Sequence, residues 1–132
     1  MPRATILIAD DHRLVMEGLM NLLKDHVDVV GTVSDGSKLI ETARRLQPDV
    51  IVTDLSMPGM SGIEALRRLR VERIESRVIL LTMHRDEELA AEALRQGASG
   101  FVLKQSAGDE LIAAIERVMQ GGVYLSRAMT LK

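Results

Sequence analysis

The sequence contains no cysteine, which excludes disulfides, thiolate zinc sites and thiol nucleophiles. It contains no tryptophan, one phenylalanine and one tyrosine, so any core has to be aliphatic, and a flavin ring would find almost nothing to stack on. Seventeen basic residues stand against nineteen acidic ones, for a net charge of -2, without the basic surplus of a nucleic-acid binder. No apolar run has the length of a signal peptide or a membrane span, so the expectation is a cytoplasmic protein with no membrane contact. The glycine fingerprint of dinucleotide binding is absent. Internal repeats and low-complexity segments are absent as well. What remains is a chain of 132 residues, 46% hydrophobic and 27% charged, which is the size and balance of one domain with a buried core.

Residues 50–62 read Val-Ile-Val-Thr-Asp-Leu-Ser-Met-Pro-Gly-Met-Ser-Gly. Three apolar β-formers run toward Asp54, turn residues follow, and Ser61 with Glu64 has the spacing of a helix-starting capping box. The same grammar recurs along the chain. Strands are expected at 5–9, 27–33, 50–53, 78–81 and 101–103, and helices at about 12–25, before Pro48, after Ser61, at about 86–96, and from a second capping box at Ser106 and Asp109. Gly97 and Gly121-Gly122 read as helix stops. Strands two to four are continuous apolar runs, the pattern of strands covered on both faces. The fold class is therefore α/β: a flavodoxin-like (βα)5 doubly wound domain with a five-stranded parallel sheet in the order 2-1-3-4-5.

In that order the carboxyl ends of strands one, three, four and five carry Asp10-Asp11, Asp54, Thr82 and Lys104. Polar residues at strand ends are common, and the particular set is what matters. Three carboxylates in one pocket repel unless a cation sits among them. All-oxygen ligands suit a hard divalent ion, Mg²⁺ first. A lysine is a point charge suited to phosphate oxygens, and a hydroxyl can donate to another. Asp54 is then free to act as a nucleophile and form an acyl phosphate.

Asp10-Asp11, the stretch from Asp54 to Gly62, Leu80-Leu81-Thr82 and Phe101-Val102-Leu103-Lys104 together resemble a response-regulator receiver domain, across essentially the whole chain. Leu-Thr-Met-His at 81–84, Gly-Ala-Ser-Gly-Phe-Val-Leu-Lys at 97–104 and Gly-Gly-Val-Tyr-Leu-Ser at 121–126 resemble the LuxR/FixJ-type regulators of the NarL branch. The resemblance implies that Asp54 accepts a phosphoryl group from a sensor histidine kinase. It implies that Asp11, Asp54 and the Ser56 carbonyl ligate Mg²⁺ directly, with Asp10 acting through water. Lys104 would pair with the phosphoryl group. Thr82 would bond it and move inward, and Phe101, at the switch-aromatic position, would follow and reshape the face of helix four, strand five and helix five. The domain would be a phosphoacceptor and not an enzyme, beyond self-phosphorylation from small donors and its own dephosphorylation. Gln105 stands where many receivers have proline, and Met83 stands where a small residue is common.

Blander readings apply to other residues. His12 reads as a solvent-facing residue of the first helical turn, with metal ligation the lesser alternative. His26 and His84 read as surface residues, and Met16, Met20 and Met119 as core fillers. Arg67, Arg68, Arg70, Arg73 and Arg77 read as a solvated helix face and loop, because acidic residues are interleaved and no aromatics accompany them. A Mg²⁺-dependent phosphatase with an aspartate nucleophile of the haloacid dehalogenase kind expects a second Asp two residues after the first, whereas residues 10–12 are Asp-Asp-His. A stand-alone receiver signalling by protein contact is the nearer alternative. The expected organisation is a receiver at 1–120 and, at 121–132, the start of a linker to a helix-turn-helix domain outside this chain. That domain would supply DNA binding and transcription regulation. A homodimer through helices one and five, or through the face of helix four, strand five and helix five, is expected on equal terms.

Overall fold

Each apolar run becomes a strand and each 3.6-period segment a helix in the computed structural model. It describes residues 3–129; the first two residues and residues 130–132 of the expected linker lie outside the described residues. The order is β1 (Thr5–Ala9), α1 (Arg13–Leu23), β2 (Asp28–Val33), α2 (Gly36–Leu46), β3 (Val50–Asp54), α3 (Gly62–Val71), β4 (Arg77–Thr82), α4 (Glu87–Arg95), β5 (Gly100–Leu103), α5 (Ala107–Met119) and β6 (Tyr124–Leu125). All pairings are parallel, in the order β2-β1-β3-β4-β5-β6. The expected order is present, extended by the two-residue β6 on the outer edge of β5.

Because successive strand residues face opposite sides, the sheet divides the core into two layers. Ile6, Ile8, Val52, Leu81 and Val102 pack with α1 and α5, while Leu7, Ile51, Leu80 and Phe101 pack with α2, α3 and α4. Each wholly buried Leu or Ile contributes about 1.5–3 kcal/mol relative to exposure. Helix starts are fixed by local oxygens: Asp35, Ser61 and Asp86 accept from the backbone N–H of Lys38, Glu64 and Leu89. Gly97 stops α4 at φ +102°, which favours glycine.

Four expectations fail for identifiable reasons. β3 and β4 are buried nearly throughout, but β2 alternates between exposed and half-buried residues, because it is an edge strand with β1 as its one neighbour. Met20 is 41% exposed, on the outer side of α1, whereas Met16 and Met119 are packed. Arg70 does not point into solvent; its guanidinium turns back to the carbonyls of Ile74, Ser76 and Gly97. Ser106 caps nothing with its side chain, because a 3-10 turn over Lys104–Ser106 leads directly into α5. Among the described residues, no helix is long and apolar enough to cross a membrane.

Candidate functional site

The carboxyl edge of the sheet gathers the polar strand ends. β1 and β3 are adjacent, so Asp10, just past β1, and Asp54, the last residue of β3, meet across the point where the strand order reverses. Both are almost fully buried, at 2% and 4% exposure. Asp10 Oδ1 accepts from the His12 backbone N–H at 2.8 Å, and Asp54 Oδ1 accepts from the Ser56 N–H at 3.2 Å. These bonds fix each carboxylate by the turn that follows it. Gly62 allows the turn after Asp54 to close tightly. Its N–H donates to the Leu55 carbonyl at 2.7 Å, and a Cβ there would lie 2.9 Å from both the Asp54 carbonyl oxygen and Leu80 Cδ2.

Lys104 enters from the far side of β4. Its Nζ lies 2.8 Å from Asp54 Oδ2 and 3.2 Å from Asp10 Oδ2. Burial works against its charge, but hydrogen bonds to Asp54 and Asp10 outweigh it and hold the ammonium above its ordinary pKa. Asp11 stands at the rim, more exposed than its neighbour. His12 is largely exposed, as expected. Its Nδ1 nevertheless lies 3.3 Å from Asp10, 3.4 Å from Asp11 and 3.9 Å from Asp54, so the ring belongs to the rim of the pocket as well.

A metal ion fits this donor set. One ligand atom each from Asp10, Asp11, His12 and Asp54 falls within 4.8 Å of all the others. Asp10 Oδ2 is buried, with the Lys104 ammonium at 3.2 Å as its one charged neighbour and no hydrogen bond of good geometry, which leaves it room to serve a cation. Carboxylate oxygens on a hard, confined site are donors for a divalent cation.

Thr82 and Phe101, the other expected residues, make no hydrogen bond to Asp54. The Thr82 hydroxyl accepts from the His84 backbone N–H at 3.2 Å, at the end of β4 beside Leu103. Phe101 is wholly buried in the α2–α4 layer, together with Met129 and with Leu125 packed against it. Met83 and His84 are exposed. A cleft of about 650 Å³ between Arg44, Asp49, Glu72 and Arg77 lies at the opposite edge of the sheet and contains none of these residues.

Nothing in the local sequence singles out Glu110, which is buried at 4% exposure and bonded to the chain after α5. The only available signal was an acid at the start of an apolar helical stripe, and that is indistinguishable from a favourable charge at a helix N-terminus.

Fold and site define an open, doubly wound α/β domain with a lysine-bridged acidic pocket at its switch point. Residues 6–116 match the family model of the response regulator receiver domain. Over 129 residues the chain is 38% identical to the nitrate/nitrite response regulator protein NarL of Escherichia coli K12, covering 96% of this chain and 60% of that protein. Over 127 residues it is 38% identical to the transcriptional regulatory protein MctR of Rhizobium johnstonii, covering 95% of this chain and 59% of the relative. A crystal structure of a LuxR-family two-component response regulator from Aurantimonas sp. SI85-9A1 superposes with a TM-score of 0.91 at 36% identity, covering 96% of this chain and 92% of that one. The chain belongs to the response regulator receiver domain family. Its relatives are two-component regulators of the NarL and LuxR type, and it spans about three fifths of the length of the curated ones.

Proposed function

We propose that this domain is a phosphorylation-controlled switch whose acceptor is Asp54. A phosphohistidine on a sensor histidine kinase is the donor. An Asp54 carboxylate oxygen bonds to phosphorus as the P–N bond breaks, and the electron pair returns to the imidazole. The observation that carries this reading is the placement of Asp54: almost buried, 2.8 Å from Lys104, and grouped with Asp10, Asp11 and His12 within 4.8 Å. Lys104 would turn from the Asp54 carboxylate to a phosphoryl oxygen, and Thr82 would exchange its bond to the His84 N–H for one to the same group. Mg²⁺ is the cation we assign to the pocket; Asp11, Asp54 and the Ser56 carbonyl would hold it, with Asp10 acting through water. Bound there, it supplies positive charge to offset the incoming phosphoryl oxygens.

Residues 1–120 would form the receiver, and 121–132 the start of a linker to a helix-turn-helix domain outside this chain. Relatives named as transcriptional regulators support that output. DNA would be bound through that further domain, in the cytoplasm, with phosphorylation biasing a homodimer by the few kcal/mol that a population shift needs. The domain itself turns over no substrate beyond its own phosphoryl group.

The test is intact mass after incubation with a small acyl-phosphate donor. Gain of one phosphoryl group that requires both a divalent cation and Asp54 is expected, and Asp54→Asn should gain none. Gain on Asp54→Asn overturns the reading.

A further inference from the structure

Glu110 on α5 takes no part in the chemistry at Asp54, yet three donors converge on its buried carboxylate. The Tyr124 hydroxyl donates to Oε1 at 2.7 Å, the Arg127 backbone N–H donates to Oε1 at 3.0 Å, and the Ser126 hydroxyl reaches Oε2 at 3.4 Å. All three come from the segment that follows α5. A hydroxyl donates once and has lone pairs to spare. Ser126 Oγ uses one of them to accept from the Leu103 backbone N–H at 2.9 Å. Ser126 is wholly buried, and its own N–H donates to the Phe101 carbonyl at 3.0 Å.

Leu103 immediately precedes Lys104, whose Nζ holds Asp54 at 2.8 Å. A continuous line of bonded groups therefore runs from Asp54 through Lys104, Leu103 and Ser126 to Glu110. It also accounts for the length of β6. A longer parallel strand would meet the Leu103 N–H with a carbonyl, and here the Ser126 side chain takes that place and ends the ladder after two residues. On the other face, Leu125 stands in register with Phe101, and Met129 is buried in the same layer. The segment is seated by one polar knot and two apolar side chains.

We propose that Glu110 and Ser126 form a latch tying the segment that leaves the domain to the strand carrying Lys104, and that phosphorylation at Asp54 loosens it. The inference rests on the reading of Asp54 as the phosphoacceptor. When Lys104 turns to a phosphoryl oxygen, the end of β5 moves with it, and the Leu103 N–H carries its bond to Ser126 along. A buried knot of this kind opens as a unit, because each lost bond strands a partner away from water. Ser126 and Glu110 are positioning residues, and neither touches the phosphoryl group. What they set is the direction in which the chain departs from the domain.

Tyr124 is the sole tyrosine and there is no tryptophan, so its emission reports on the latch alone. A phenol bonded to a carboxylate emits weakly, and its release brightens it. The full 132-residue chain is treated with an acyl-phosphate donor and Mg²⁺, and intact mass, Tyr124 emission and amide exchange are read on the same sample. Phosphoryl gain is expected with a rise in emission and with exchange at Leu103 and Arg127 about tenfold faster, the scale of one buried hydrogen bond. Ser126→Ala is expected to gain phosphate normally, to be bright before loading and to brighten no further. Glu110→Gln keeps the side-chain shape, has the same expected behaviour, and replaces Ser126→Ala if that variant does not fold. Phosphoryl gain with unchanged emission and exchange overturns the latch and leaves Asp54 as the acceptor. A Ser126→Ala protein that responds like the parent also overturns it. No phosphoryl gain overturns the reading of Asp54, and the trigger of the latch falls with it.

Discussion

Lys104 Nζ and Asp54 Oδ2 meet at 2.8 Å although fifty residues separate them in sequence. Each comes from the end of its own strand, and β4 lies between those strands. The lysine also lies 3.2 Å from Asp10 Oδ2, so one ammonium offsets two buried carboxylates.

Replacing Lys104 with methionine should therefore leave Asp10 and Asp54 facing each other unbalanced. Breaking a buried ion pair from one side costs about 3–5 kcal/mol. The expected outcome in urea denaturation is a loss of that order at neutral pH, partly restored by Mg²⁺ but not by an equal ionic strength of sodium chloride. Full stability without a divalent cation would contradict the role given to the ammonium.

The knot around Glu110 should respond at both ends of the pH scale. Burial and the bond to Glu110 raise the Tyr124 phenol above its ordinary value of 10.0. Burial also acts to raise Glu110, but bonds from Tyr124, Arg127 and Ser126 prevail and hold its carboxyl below 4.5. A raised phenol contributes stability that is complete below 10.0 and is lost as pH climbs through the folded value. A lowered carboxyl contributes stability that is present above 4.5 and is lost as pH falls through the folded value. Following phenolate absorbance should place the Tyr124 midpoint above that of free tyrosine, and Glu110→Gln should lower it part of the way, burial keeping the rest. An unmoved midpoint in that variant would argue against the bond.

Gly62→Ala would put a Cβ 2.9 Å from the Asp54 carbonyl and 2.9 Å from Leu80 Cδ2, with no flexible chain end alone to give way. Overpacking of this kind costs about 1–3 kcal/mol. Because the strained atoms belong to the turn bearing Asp54 and Ser56, phosphoryl gain should slow more than the stability loss explains. Stopped-time mass measurements on samples kept well below the unfolding transition separate the two effects.

Arg70→Lys keeps the charge and loses the fork. One guanidinium bonds Ile74 O at 2.7 Å, Ser76 O at 3.0 Å and Gly97 O at 3.3 Å, tying the turn after α3 to the end of α4. An ammonium cannot span all three. A loss of about 1–2 kcal/mol in chemical denaturation is expected, with phosphoryl gain unaffected.

Most of the fold and the heart of the site were legible because period and punctuation agree along this chain. Val50 to Asp54 and Val78 to Leu81 are apolar runs with polar ends, and a parallel sheet delivers such ends to one edge. What escaped depends on neighbours and not on local pattern. β2 has the composition of a covered strand, and only its place at the edge exposes it. β6 is two residues long and has no periodicity to detect. Arg70 sits among outward-facing arginines, and nothing in its sequence neighbourhood says that three free carbonyls wait within its reach. Glu110 and Ser126 are ordinary residues until the chain folds back to bring them together.

The sheet that separates the two apolar layers also separates the effects of changes made in each. Leu19 and Leu23 on one side and Leu39 and Leu66 on the other belong to clusters that share no side chain. Substitutions made one on each side should combine additively in stability, as distant sites do. A lineage can therefore remodel the surface over α1 to suit a new partner while leaving the opposite layer, with Phe101, as it was. One scaffold could in this way be retargeted many times without being re-engineered as a switch.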